Sequence, residues 1–296
     1  MLDTVAQFIQ EKFNTNSFIP LHEPKFIGLE KENLIKAIDS TFVSSVGEYV
    51  DQFEKNICDL TQSSKAIAVV NGTSALHLAM ILADVQKGDL VITQALTFVA
   101  TCNAISYCNA EPILIDVDKK TLGLCPIALE SWLDDNAALD QQGFCIFKKS
   151  KQPIKACIPM HTFGHPVEID SIISICKKWN INVIEDAAES LGSFYKNIHT
   201  GTFGIMGTLS FNGNKIITTG GGGAILCNQE TYAKGKHLST TAKVPSETHF
   251  YHDQVGFNYR MPNLNAALGC AQLESLNFYL EKKRNLAMEY QEFFEG

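Results

Sequence analysis

Thr208-Leu-Ser-Phe-Asn-Gly-Asn-Lys215-Ile-Ile-Thr-Thr-Gly-Gly-Gly-Gly223 sets one lysine between a short polar-aromatic run and four consecutive glycines. Residues 208–211 read as a strand, and 223–227 as another. Lys215 therefore lies in a connection between strands, where a rigid sheet can aim it inward. The glycines permit positive φ and let backbone come close to a neighbouring chain or a bound group. Alone, the stretch fits either a catalytic lysine or an exposed lysine in a glycine turn.

Upstream of this stretch, short apolar runs at 66–70, 90–93, 112–115, 154–159 and 182–185 alternate with helical patterns. Those helices are expected over 74–83, 98–107, 126–134 and 168–179. The alternation predicts an α/β fold, a mostly parallel sheet covered by helices on both faces. In such sheets ligands collect outside the carboxyl ends of the strands. Before the sheet come an amphipathic helix over 1–13, an extended arm over 17–28 with two prolines, and helices over 30–40 and 48–61. After it come a helix from 229, a polar segment over 241–252 without periodicity, and a long helical pattern from 262. Its apolar face still needs cover where the sequence stops. The expected division is thus a large domain over 1–260, with its arm at 1–25, and a smaller one over 261–296 that is only begun here or is truncated.

With 296 residues the chain can bury a large core. A formal net charge of −8 gives no reason to expect a nucleic-acid or anionic-membrane partner. No apolar run approaches the roughly 20 residues needed to span a bilayer. The nine cysteines form no CxxC pair. They read as reduced thiols of a cytoplasmic protein, neither a disulfide framework nor a metal site.

Four stretches fall at strand ends. Val70-Asn-Gly72-Thr73-Ser74 is a strand, a turn and a helix start, where free N–H groups and hydroxyls make either an anion cradle or a plain N-cap. Thr97-Phe98 offers an aromatic that could cover a planar ring or fill the core. Asp186 follows an apolar strand, where a charge needs a cationic partner such as a protonated ring nitrogen, or caps the next helix. Ser210 adds a hydroxyl beside Lys215. One amine, one carboxylate, one aromatic face and one phosphate cradle together meet the needs of pyridoxal phosphate. His161, His165 and His252 read either as substrate contacts or as satisfied structural histidines. A nicotinamide site is disfavoured, because the glycine run follows the lysine and not the first strand.

The chain resembles the DegT/DnrJ/StrS family of sugar aminotransferases, most closely the LegC-type members associated with legionaminic acid. The likeness rests on Phe18-Ile-Pro-Leu-His22, Thr41-Phe-Val-Ser-Ser-Val-Gly47, Thr93-Gln-Ala-Leu-Thr-Phe-Val-Ala-Thr101 and Pro159-Met-His-Thr-Phe-Gly-His-Pro166. Glu185-Asp-Ala-Ala-Glu-Ser-Leu-Gly-Ser193 and Ser210-Phe-Asn-Gly-Asn-Lys215 extend it. The resemblance implies a fold-type I transferase with Lys215 as the Schiff-base lysine and Asp186 on the pyridine nitrogen. Gly72, Thr73, Ser74 and Ser210 would hold the phosphate and Phe98 would stack on the ring. Glu189 stands where many relatives carry glutamine or histidine near the phenolic oxygen. Asn258, in Gly256-Phe-Asn-Tyr-Arg-Met-Pro262, would reach the phosphate of a neighbouring subunit, which implies a homodimer with shared sites. Gly221 stands where many relatives carry glutamate.

The implied reaction takes an amino group from glutamate to a nucleotide-linked 4-keto-6-deoxy hexose, in nonulosonic acid or surface-polysaccharide biosynthesis. A sugar dehydratase of the same fold is disfavoured by Lys215, since relatives of that kind carry histidine there. A cofactor-binding regulator or inactive paralogue is the alternative of another class.

Overall fold

Three helices, α1 (Leu2–Phe13), α2 (Glu30–Asp39) and α3 (Glu48–Thr61), precede the first strand in a computed structural model that describes residues 2–246 and 248–295. There follow β1 (Lys65–Val69), α4 (Gly72–Leu82), β2 (Leu90–Gln94), α5 (Val99–Tyr107), β3 (Glu111–Ile115) and α6 (Pro126–Asn136). The hairpin strands β4 (Ala137–Leu139) and β5 (Cys145–Phe147) lead to β6 (Ile154–Ile158), α7 (Ile169–Lys178) and β7 (Asn182–Asp186). A second small hairpin, β8 (Phe194–Tyr195) with β9 (Ile198–His199), precedes β10 (Met206–Ser210), β11 (Gly223–Cys227) and α8 (Gln229–Ser239). A third, β12 (Lys243–Val244) with β13 (Tyr251–His252), comes before α9 (Asn263–Glu274) and α10 (Leu276–Glu295).

Seven strands form the central sheet in the order β1-β11-β10-β7-β6-β2-β3. The pairs β10–β7, β7–β6, β6–β2 and β2–β3 are parallel, and β11 runs antiparallel to both β1 and β10. Alternation along each strand divides the core between two faces. Ile67, Val69, Val91 and Ile225 meet Leu76, Met80 and Ile105 of α4 and α5 on one side. On the other, Ala66, Ala68 and Leu226 meet Phe53 and Ile57 of α3, while Leu90 and Ile92 join Leu129 of α6 and Ile172 of α7. Each large apolar side chain fully buried in this way contributes on the order of 1.5–3 kcal/mol. All nine cysteines are unpaired. No helix among the described residues is long and apolar enough to cross a membrane.

One expectation changes at the C-terminal end. The helical pattern from 262 is two helices, broken at Ser275 (φ −94°, ψ 1°). Helix α9 packs on α2 and α3. Its small residues allow the approach: a Cβ on Gly269 would lie 2.5 Å from the Phe53 ring. Gln272 Nε2 donates to Glu30 Oε1 of α2 at 2.6 Å, which anchors the helix laterally. Of α10, only Leu276 and Tyr279 are buried. The segment 241–252, which showed no periodicity in the sequence, carries the β12–β13 hairpin, with Lys243 opposite His252.

Candidate active site at the carboxyl edge of the sheet

β1, β2, β6, β7 and β10 all run the same way, so their carboxyl ends open on one edge. The turn after β1 is built by Asn71, which caps α4: its side chain accepts from Ser74 N–H at 2.8 Å. Its carbonyl accepts from Ala75 N–H at 3.1 Å. The N–H groups of Gly72 and Thr73 are left without a partner among the described residues, and they point where a helix start attracts an anion. The end of β10 closes the other side, since a Cβ on Gly72 would lie 2.9 Å from Ser210 Cβ. Gly223 must also be bare, because its Cβ would meet Asn71 O at 2.5 Å. Two N–H donors and the Thr73, Ser74 and Ser210 hydroxyls form a donor set that fits a phosphate.

Asp186 ends β7 and is only 3% exposed. Thr101 Oγ1 donates to its Oδ2 at 2.7 Å, and Ala188 N–H to its Oδ1 at 3.2 Å. Burial pushes its carboxyl above the ordinary range, while these donors and the nearby Lys215 and His161 pull the other way. A buried carboxylate so placed has capacity for one more cationic partner. Lys215 stands in the turn after β10, its N–H bonded to Asn212 O at 3.0 Å. Its Nζ meets Glu189 Oε1 at 2.8 Å. Phe98 is the N-cap residue of α5 and is 70% exposed, free to cover a flat ring. Phe98, Asp186, Lys215 and the Gly72–Ser210 cradle all stand at or just after strand ends on this carboxyl edge, and the chemistry of these side chains suits pyridoxal phosphate.

Other assignments meet different surroundings. His161, read either as a substrate contact or as a satisfied structural histidine, is 0% exposed. Its Nδ1 accepts from Val167 N–H at 3.3 Å, so Nε2 carries the proton and donates to Glu185 Oε2 at 3.0 Å. With both ring nitrogens bonded and no exposed surface, His161 fits the structural reading and not the substrate one. His252 sits exposed on β13, its Nδ1 against Thr241 O at 2.8 Å. It does not line either cavity that contains Lys215, so nothing in the single chain brings it to substrate. Asn258 is likewise absent from both cavities, and its Oδ1 accepts from Arg260 Nε at 3.1 Å and Nη2 at 2.9 Å.

Sequence reasoning missed two groups. Thr101, in the first turn of α5 and 2.9 Å from the Thr97 hydroxyl, is the donor to Asp186. Glu185, fully buried behind the site, accepts from Phe203, Gly204 and Gly201 N–H at 2.6, 2.8 and 2.8 Å as well as from His161. Its position next to Asp186 on a strand, and hence on the opposite face, was the available signal.

Comparison with known proteins agrees with this geometry. Residues 26–296 match the model of the DegT/DnrJ/EryC1/StrS aminotransferase family. The chain is 38% identical over 279 residues to the GDP-perosamine synthase of Escherichia coli O157:H7, covering 92% of this chain and 70% of that protein. The aminotransferase from Psychrobacter cryohalolentis superimposes with a TM-score of 0.76 at 30% identity, over 88% of this chain and 64% of its own. A DegT DnrJ EryC1 StrS aminotransferase from Brucella abortus gives 0.80 at 27%, over 89% and 68%. The chain therefore spans about two thirds of the length of these solved relatives. The fold is that of the fold-type I pyridoxal-phosphate aminotransferases.

Proposed function

The chain belongs to the DegT/DnrJ/EryC1/StrS aminotransferase family, and from that premise we propose that it transfers an amino group to a nucleotide-linked sugar with pyridoxal phosphate. The observation that carries the proposal is the convergence of Lys215, Asp186 and the Gly72–Ser210 cradle on one sheet edge. The acceptor is a 4-keto-6-deoxy hexose, N-acetylated as in legionaminic-type pathways, and the donor is glutamate. The stretches from Phe18 to Lys215 support that narrower reading. The name of the E. coli relative makes a GDP-linked sugar the comparison to run beside a UDP-linked one.

Gly72, Thr73, Ser74 and Ser210 would bind the cofactor's phosphate, and Phe98 would cover its ring. When bound, pyridoxal phosphate supplies a ring that stores the electrons released as the donor's α-proton leaves. Asp186 would orient that ring by meeting its protonated nitrogen, and the Thr101 hydroxyl holds the carboxylate in place for this. Lys215 would anchor the cofactor and, as a free amine, move the proton at the donor's α-carbon. Glu189, at 2.8 Å, holds that amine over the cavity, and by the family resemblance it would stand near the cofactor's phenolic oxygen. Asn258 would complete the phosphate site of a second copy, which makes the working unit a homodimer.

Borohydride reduction with pyridoxal phosphate, followed by peptide mapping, tests the assignment. A pyridoxyl group is expected on the Lys215 peptide and lost in Lys215→Ala. Labelling elsewhere, or transamination by Lys215→Ala, would overturn it.

A further inference from the structure

Leu280, Lys283, Arg284 and Ala287 recur at the spacing that puts them on one face of α10. All four line a cavity of about 690 Å³ that also contains Lys215 and Glu189. The helix is seated there by Gly192 (φ +82°), where a Cβ would lie 2.6 Å from Leu280 Cδ1. Lys283 also lines the adjoining cavity of about 380 Å³, again with Lys215.

The charges in these cavities do not cancel. Glu189 is occupied by Lys215 at 2.8 Å, and Glu23 is occupied by Lys25. Lys283 Nζ meets only the His22 Nδ1, at 3.1 Å. Burial and the adjacent Lys283 hold His22 below its ordinary pKa, so it is a neutral acceptor that leaves the ammonium charge uncompensated. Arg284 has only Gly192 O, at a long 3.5 Å. Neither cation has a carboxylate within ion-pair distance among the described residues. Lys282, over the Phe278 ring, adds a third unpaired cation to the smaller cavity. In a chain of net charge −8, unpaired cations beside the reactive lysine call for an anion brought by a ligand, and of the three only Lys283 and Arg284 face the larger cavity.

We propose that Lys283 and Arg284 form the seat for the diphosphate of the nucleotide-linked substrate, an inference that rests on the transaminase reading above. Arg supplies a planar fork and Lys a point charge, a pairing suited to a bridged diphosphate. The seat reads charge and not base, so it serves UDP- and GDP-sugars alike. A dicarboxylate donor shares the anionic chemistry and is the source to be distinguished.

Calorimetric titration with inorganic pyrophosphate, UDP, GDP and glutamate tests this on the wild type, Lys283→Gln, Arg284→Gln and the double variant. Pyrophosphate and both nucleotides should weaken about tenfold for each cation removed, with glutamate unchanged. The Gly72 cradle is common to all variants, so only the difference is read. Lys283→Arg, which keeps the charge, should bind within about threefold of wild type. Thermal melts identify any misfolded variant, and the single variants then carry the test. Pyrophosphate binding unaltered in the variants refutes the seat, and weakening of glutamate alone reassigns it to the donor and refutes it equally. Pyridoxyl labelling of Lys215 is read separately. A label with unchanged anion binding sinks only this inference, and charge-dependent binding without a label sinks only the transaminase reading.

Discussion

Thr101→Val keeps the shape of the side chain and removes the hydroxyl that reaches Asp186 Oδ2 at 2.7 Å. The carboxyl is 3% exposed, so water cannot replace the lost donor. A hydrogen bond to a charged buried group is worth about 1.5–3 kcal/mol, against about 0.5–1.5 kcal/mol between neutral groups. The variant should therefore lose most where the pH is high enough to ionise Asp186, and less in acid. The sign follows from burial. Asp186 sits above its ordinary value of 3.8, so the fold binds this proton more tightly than the unfolded chain. Stability from the site is full below that value and declines as pH rises through the raised one. Removing the Thr101 donor disfavours the carboxylate further and steepens the decline. In thermal melts of cofactor-free protein the loss should be on the order of 5 °C where Asp186 is ionised and about half that in acid. Cofactor affinity should fall too, because the carboxylate loses the group that orients it. A stability loss that is flat across pH, or none, would refute the role given to Thr101.

Gly223→Ala should fail to bind cofactor or to fold, since its Cβ would sit 2.5 Å from Asn71 O, whereas Gly221→Ala, whose nearest neighbour is Val70 O at 3.8 Å, should melt within a few degrees of wild type. Equal melting temperatures for the two would show that the glycine run is not needed for close approach. Glu185→Gln puts an amide among four donors and should cost about 3–5 kcal/mol, read as a lower urea midpoint; an unchanged midpoint contradicts the buried network. His77 bonds Tyr259 Oη at 3.0 Å, and burial holds it below its ordinary value of 6.5. Its contribution is full above that value and is lost as pH falls through the depressed one, so His77→Phe should flatten the acid limb of the melting profile. An acid limb of the same slope in the variant would remove His77 from the account.

Long periodic signals were legible and short tertiary ones were not. The run Leu90–Gln94 is buried along its whole length, so its apolar residues announced a central strand. The two-residue ladders of β8–β9 and β12–β13 have no periodicity to read. Asp186 and Lys215 stood out because a charge past an apolar strand and a lysine before four glycines are each costly or unusual locally. Thr101 did not, because its value depends on a partner 85 residues away. His161 stayed open between its two readings for the same reason: a histidine after a strand in an open α/β sheet faces either edge or core, and only Glu185, buried behind it, decides.

Glu185 and Asp186 are neighbours in sequence and opposites in duty. One clamps the turn at 201–204 from within, and the other faces the reaction edge. Side chains alternate along a strand, so parity decides which carboxylate does which task. Deleting or inserting a single residue in β7 would exchange them, driving the clamp into the cavity and the ring partner into the wall. A change of two would restore the alternation. The length of this strand is therefore constrained in odd and even steps, a restriction that falls on the counting of residues and not on their chemistry.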